Sequence, residues 1–96
     1  MVYYEKDKYD FIRFELSTTK YKKYNAVLKN RETNKIVRLN FGDKRYPQYR
    51  DRTGLDIWTH IDHNDKQRRA AYRKRHIGFI KDGYYSPGYF SYNFLW

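Results

Sequence analysis

The residues from His60 to His76, HIDHNDKQRRAAYRKRH, hold most of the side chains that could do chemistry in this chain. Lys66, Arg68, Arg69, Arg73, Lys74 and Arg75 follow Asp65 with no further acid before His76. Cations at that density suit phosphates or carboxylates. On a nucleic acid they would displace counterions, so that binding falls steeply with salt. Tyr72 and His76, interleaved among them, could stack or hydrogen-bond. Asp62 or Asn64 can cap a helix start, and Asp65 would then sit in the first turn, at the positive end of the helix dipole. The cations crowd the last turn, and Gly78 offers a stop. On such a helix Arg68, Tyr72 and Arg75/His76 share one face, while Arg69, Arg73 and His76 form a flanking stripe. Ala70 and Ala71 would let the helix pack closely against something. The candidate partner-binding residues are therefore Lys66, Arg68, Arg69, Tyr72, Arg73, Arg75 and His76, joined by Trp96 from the aromatic end of the chain. The competing reading is a solvated charged face, or cations paired with acids of a neighbouring protein. No zinc-finger, recognition-helix or RNA-sheet signature accompanies the charge, so sequence-specific readout is not expected.

Two other patterns invite chemistry. His60-x-x-His63, with Asp56, Asp62 and Asp65 nearby, offers imidazole and carboxylate ligands of the kind zinc or manganese takes. A helical i,i+3 pair needs both histidines inside the helix, however, and His60 precedes the cap; capping and local hydrogen bonds are the expected role, and no metal is assigned. Asp62-His63-Asn64 with His76 has the composition of a His-Asn-His nuclease, but no hairpin brackets His63. There is no Gly-rich phosphate loop, serine elbow or paired-carboxylate arrangement. Neither catalysis nor a cofactor is expected.

Composition narrows the partners. The 96 residues carry 21 Lys and Arg against 11 Asp and Glu, a formal net charge of +10. Self-repulsion at that charge weakens an isolated fold and draws it to anionic surfaces. Of the apolar content much is aromatic, with 12 Tyr, 6 Phe and 2 Trp. Such side chains bury large areas while keeping a polar edge wet, which suits interfaces. Cysteine is absent, so thiolate staples are excluded. No apolar run approaches the roughly 20 residues of a membrane span, and no signal-peptide core is evident at the N-terminus.

The elements that must position these residues read as one small α+β domain over residues 1–96. Phe11–Leu16 alternates, with Ile12, Phe14 and Leu16 on one side. Tyr24, Ala26 and Leu28 alternate next, then Val37, Leu39 and Phe41 after a turn-like stretch at 30–35. These runs predict an antiparallel meander of about three strands. Gly42 would end the last strand. Residues 43–59 form an irregular crossing with a turn at 52–55, and the basic helix follows. A second connection over 77–85 turns at Lys81-Asp82-Gly83. Ser86-Pro87 reads as an N-cap and first helical residue, opening a short aromatic helix over 87–96. Tyr89, Tyr92/Asn93 and Trp96 would share one face and Phe90 and Phe94 another. Apolar nearly all round, this helix is expected to fold back over the meander.

Certain residues, taken together, form a pattern: Lys23-Tyr24; Phe41-Gly42-x-Lys44-x-Tyr46-x-x-Tyr49; His63-x-x-Lys66; Arg69-x-x-Tyr72-x-x-Arg75-His76; Gly88-Tyr-Phe-Ser91; and Leu95-Trp96. In these blocks, which span 23–96, the chain resembles a family of short, basic, uncharacterised proteins of large nucleocytoplasmic DNA viruses, the chlorella-virus and mimivirus relatives. The resemblance implies a viral origin more than a mechanism. With the charge and the aromatics, it leads to the expectation of a structural component of a virus particle, a minor capsid or internal virion protein. Such a protein would bind other virion proteins, in the virion and in the host cytoplasm during assembly, and would have no small-molecule substrate. The alternative is a non-specific binder of DNA or RNA backbone that neutralises the packaged genome.

Overall fold

Antiparallel pairing of three strands builds the larger sheet, and a computed structural model describes residues 3–96. In chain order the strands are β1 (Tyr4–Glu5), β2 (Tyr9–Leu16), β3 (Lys22–Asn30) and β4 (Ile36–Asp43). A 3-10 turn at Thr59–Ile61 precedes helix α1 (Lys66–His76), and another, Ile77–Phe79, follows it. Strand β5 (Tyr84–Tyr85) and helix α2 (Pro87–Phe94) complete the α+β chain. The sheet runs β2-β3-β4, as the alternating runs predict, with Tyr24 opposite Phe41 and Ala26 opposite Leu39. A second, two-stranded ribbon pairs Tyr4 with Tyr85. Its strands are too short to have a readable period.

The apolar stripe of β3 and β4 needs a cover, and α2 supplies it. Ser86 Oγ accepts from the Tyr89 N–H at 3.1 Å, and Pro87 takes the first helical position, where its missing N–H costs nothing. Phe90 and Leu95 are then buried against Tyr24, Leu28, Leu39 and Phe41. Phe90 lies 5.6 Å from Phe41 and 5.9 Å from Phe14 between ring centroids, and Phe94 lies 4.8 Å from Phe14. These spacings are those of favourable offset and edge-on pairs.

In β2 the expected alignment of Ile12, Phe14 and Leu16 fails. A bulge between Phe11 and Arg13 shifts the register, so Phe11 and Phe14 meet Phe90 while Ile12 is 43% exposed. Leu16, at the strand end, is also exposed. On the outer side Arg13, Val27 and Arg38 stand in one cross-strand row. Both arginines donate to Glu15, and Val27 is fully buried. Strand β4 runs one residue past Gly42, whose φ of 75° only glycine adopts without strain.

The crossing segment is irregular but anchored by buried polar groups. Gln48, with no exposed surface, donates to the Trp58 carbonyl (2.8 Å) and Asp62 Oδ1 (2.6 Å) and accepts from Lys23 Nζ. Asp62 Oδ1 also accepts from the Asp51 N–H at 2.9 Å. The Tyr24 hydroxyl donates to Asp51 and accepts from the Ile57 and Trp58 N–H groups. A segment without regular structure must satisfy its backbone in this way. The result fixes the chain immediately before α1.

Candidate functional site

Helix α1 starts at Asp65, not at Asp62 or Asn64. Asp65 Oδ1 accepts from the Gln67 and Arg68 N–H groups at 2.9 and 3.2 Å. Asp62 is committed to the buried network, and Asn64 Oδ1 accepts from Arg50 Nε at 3.0 Å. The helix does not stop on Gly78; it tightens into the 3-10 turn that contains it. Ala70 and Ala71 are exposed, so they are not the packing contact.

The inward contact is made by the aromatic and two of the basic residues. Tyr72 stacks on His76, with centroids 4.0 Å apart, and on Trp96 at 4.1 Å with planes 5° from parallel. His63 closes the far side of Trp96 at 5.2 Å. Arg69 Nε donates to the Trp96 carbonyl at 2.7 Å, and Arg73 donates to the Trp96 and Tyr92 carbonyls at 3.1 and 3.2 Å. Arg52 holds the Asn93 and Phe94 carbonyls, and the Arg50 N–H holds that of Leu95. These are the carbonyls a helix end leaves without partners, at the negative end of its dipole. Arg73 thus caps α2 through the Tyr92 carbonyl, and Arg69 holds the Trp96 carbonyl just beyond it. Each guanidinium also covers a ring, Arg73 that of Tyr92 at 4.3 Å and Arg69 that of Tyr49 at 4.7 Å.

The remaining cations of α1, Lys66, Arg68, Lys74 and Arg75, are exposed, Arg68 and Arg75 at the mouth of a cleft against β3 and β4. Among the described residues none of the four makes a hydrogen bond or ion pair. Of the predicted partner-binding residues, then, Lys66, Arg68 and Arg75 form a free ridge together with Lys74. Arg69, Tyr72, Arg73, His76 and Trp96 build the joint beneath it.

His60 and His63 are engaged separately. His60 lies against Trp58. His63 Nδ1 accepts from the Asp65 N–H at 2.9 Å, which places its proton on Nε2. Burial first, then Arg68, holds the His63 pKa below its usual value and keeps the ring neutral. Among the described residues no three His, Asp or Glu side chains gather as a metal site would need.

Between α1 and the end of the β3–β4 pair lies a cleft of about 420 Å³. Its charged lining is Lys22, Lys23, Arg68, Arg75 and Asp43, with His76 beside them. Asp43 is held by Arg45 through the backbone N–H and two guanidinium nitrogens at 2.7–3.0 Å, which depresses its pKa to about 2. Lys23 is 2% exposed and bonded to the Tyr46 carbonyl at 3.0 Å as well as to Gln48; burial lowers its pKa to about 8. The sequence reading missed Lys22 and Lys23, because two lysines inside a strand carry no signal beyond their charge. Among the described residues no helix is long and apolar enough to cross a membrane. No known family model matches the chain, and no curated protein and no solved structure is similar to it.

Proposed function

We propose that this protein is a non-catalytic interaction component of a large DNA virus particle, and that it binds acidic surfaces of neighbouring virion proteins through the outer ridge of α1. The observation that carries this reading is the division of labour on that helix. Several acids elsewhere in the chain already have cationic partners, with Asp10 on Arg31, Glu15 on Arg13 and Arg38, and Asp43 on Arg45. Lys66, Arg68, Lys74 and Arg75 have none among the described residues. The stacked joint beneath them holds the ridge rigid, so little ordering entropy is left to lose on binding. Placement in a particle rests on the resemblance of the aromatic and basic blocks. The test is zero-length carbodiimide cross-linking of intact particles, which joins lysine amines to carboxylates in contact. Lys66 and Lys74 are expected to link to acidic residues of other virion proteins.

A second reading, backbone binding to packaged nucleic acid, is favoured by the net charge of +10. It predicts duplex binding near physiological salt, with a log–log salt slope that shrinks by about one for each ridge cation removed. Particles in which Lys66 and Lys74 form no protein cross-link, together with such a slope, would replace the first reading by the second.

A further inference from the structure

We propose that the cleft between α1 and the end of the β3–β4 pair is a binding site for a phosphate monoester joined to a planar ring, the chemistry of a nucleotide. The cleft shares Arg68 and Arg75 with the ridge reading but adds Lys22 and Lys23 of β3, so loss of binding in Lys22→Gln tests the cleft alone.

Four basic residues, Lys22, Lys23, Arg68 and Arg75, line one hollow. Like charges brought together cost free energy unless an anion offsets them. The hollow's single acid among the described residues, Asp43, already has Arg45 as its partner. Lys23 lies behind the other three, its Nζ held in place by the Tyr46 carbonyl and Gln48. Lys22, Arg68 and Arg75 are free of ion pairs among the described residues. Two of these groups are guanidinium forks, whose paired donors match phosphate oxygens. His76 adds a further polar contact: its Nδ1 donates to the Tyr72 carbonyl at 2.9 Å, and its Nε2 has no partner among the described residues.

The rest of the wall says that the anion is not a bare ion. Pro47 and the edges of the stacked Tyr72 and Trp96 rings present apolar surface to the same hollow, with Tyr46 at 62% exposure beside them. Inorganic phosphate would leave that surface wet, whereas a base or similar ring would cover it. The volume, about 420 Å³, lies in the range of roughly 300–1,000 Å³ typical of small-molecule sites. Two sources present the same chemistry, a free nucleotide and the 5′-phosphorylated end of a strand.

The test is calorimetric titration of the full chain at about 0.15 M salt with adenosine 5′-monophosphate, with adenosine and with inorganic phosphate, while tryptophan fluorescence reports on Trp96. The monophosphate is expected to bind one to one, about tenfold or more tighter than adenosine or phosphate alone. Arg75→Gln and Lys22→Gln should each weaken it about fivefold or more. Lys35→Gln, with the same charge change at the opposite end of the β3–β4 pair, should leave affinity within about twofold. A 5′-phosphorylated oligonucleotide that displaces the monophosphate, where its unphosphorylated form does not, assigns the site to strand ends; failure of both to compete assigns it to the free nucleotide. Equal affinity for adenosine, no saturable binding, or an equal loss in Lys35→Gln would overturn the proposal.

Discussion

Tyr72 and Trp96 lie face to face, 4.1 Å apart and within 5° of parallel, and this contact is what fastens the basic helix to the end of the aromatic one. His76 stacks on the other side of Tyr72 at 4.0 Å, and the Tyr72 hydroxyl makes no hydrogen bond among the described residues. Removing the ring should therefore cost far more than removing the hydroxyl. Tyr72→Ala is expected to lose about 3 kcal/mol of stability and Tyr72→Phe less than about 1 kcal/mol, measured by urea unfolding at neutral pH.

The two kinds of arginine on α1 should separate in the same experiment. Arg73→Ala strips the Tyr92 carbonyl at the end of α2, and Arg69→Ala the Trp96 carbonyl just beyond it, of a charged donor, and each should cost about 1–3 kcal/mol. Arg68→Ala and Arg75→Ala remove exposed, unpaired cations and should stay within about 0.5 kcal/mol of the parent. If all four cost the same, the division of the helix into joint and ridge is wrong.

Alkaline pH should act through Lys23 and Tyr24 in opposite directions. Lys23 has its pKa lowered from 10.5 to about 8, chiefly by burial, so the folded state prefers the neutral amine. Stability should rise as pH climbs from about 8 toward 10.5, by at most about 3 kcal/mol. Tyr24 has its pKa raised from 10.0 to about 12 by burial and then by its bond to Asp51, so its contribution is full below 10 and is lost as pH rises toward 12. Unfolding free energies from pH 7 to 11 should show the rise in the parent protein, and Lys23→Met should lack it.

Acid should loosen the start of α1. The His63 ring must stay neutral to accept from the Asp65 N–H, and its pKa is lowered from the model-compound value of 6.5. Its contribution is present above pH 6.5 and is lost as pH falls from there through the folded value. Amide exchange at Asp65 should accelerate over that window, and His63→Gln should remove the pH dependence of this step.

Gly42 is expected to tolerate no side chain. A Cβ there would stand 2.9 Å from Leu95 Cδ1 and 3.2 Å from Lys23 Cβ, on a backbone with φ of 75°. Gly42→Ala should destabilise by about 2 kcal/mol, combining left-handed strain with the shift forced on Leu95. A melting temperature unchanged from the parent would count against this packing.

What could be read from the sequence was set by range. Tyr24, Ala26 and Leu28 alternate over a few residues, and Ser86-Pro87 announces its helix within two, so β3 and the start of α2 were legible. Phe14 was legible on the inward side, where it packs, but Phe11 was not, because a single inserted residue reverses the phase of β2 without leaving a mark in residue type. Arg69 and Arg73 look no different in sequence from Arg68 and Arg75. Their partners are carbonyls near residue 96, and a carbonyl belongs to every residue. Lys23 and Gln48 were missed for the opposite reason: such side chains usually face water, and here they are buried because they bond each other and the Tyr46 carbonyl, the Trp58 carbonyl and Asp62.

Phe90 and Leu95 fill the hollow side of strands that precede them by half the chain. During synthesis the hairpin therefore leaves the ribosome with its oily face bare, and it stays bare until the final helix emerges. Early arrest would yield a sticky fragment and not a smaller working protein, a hazard a chaperone or a crowded assembly site would have to absorb.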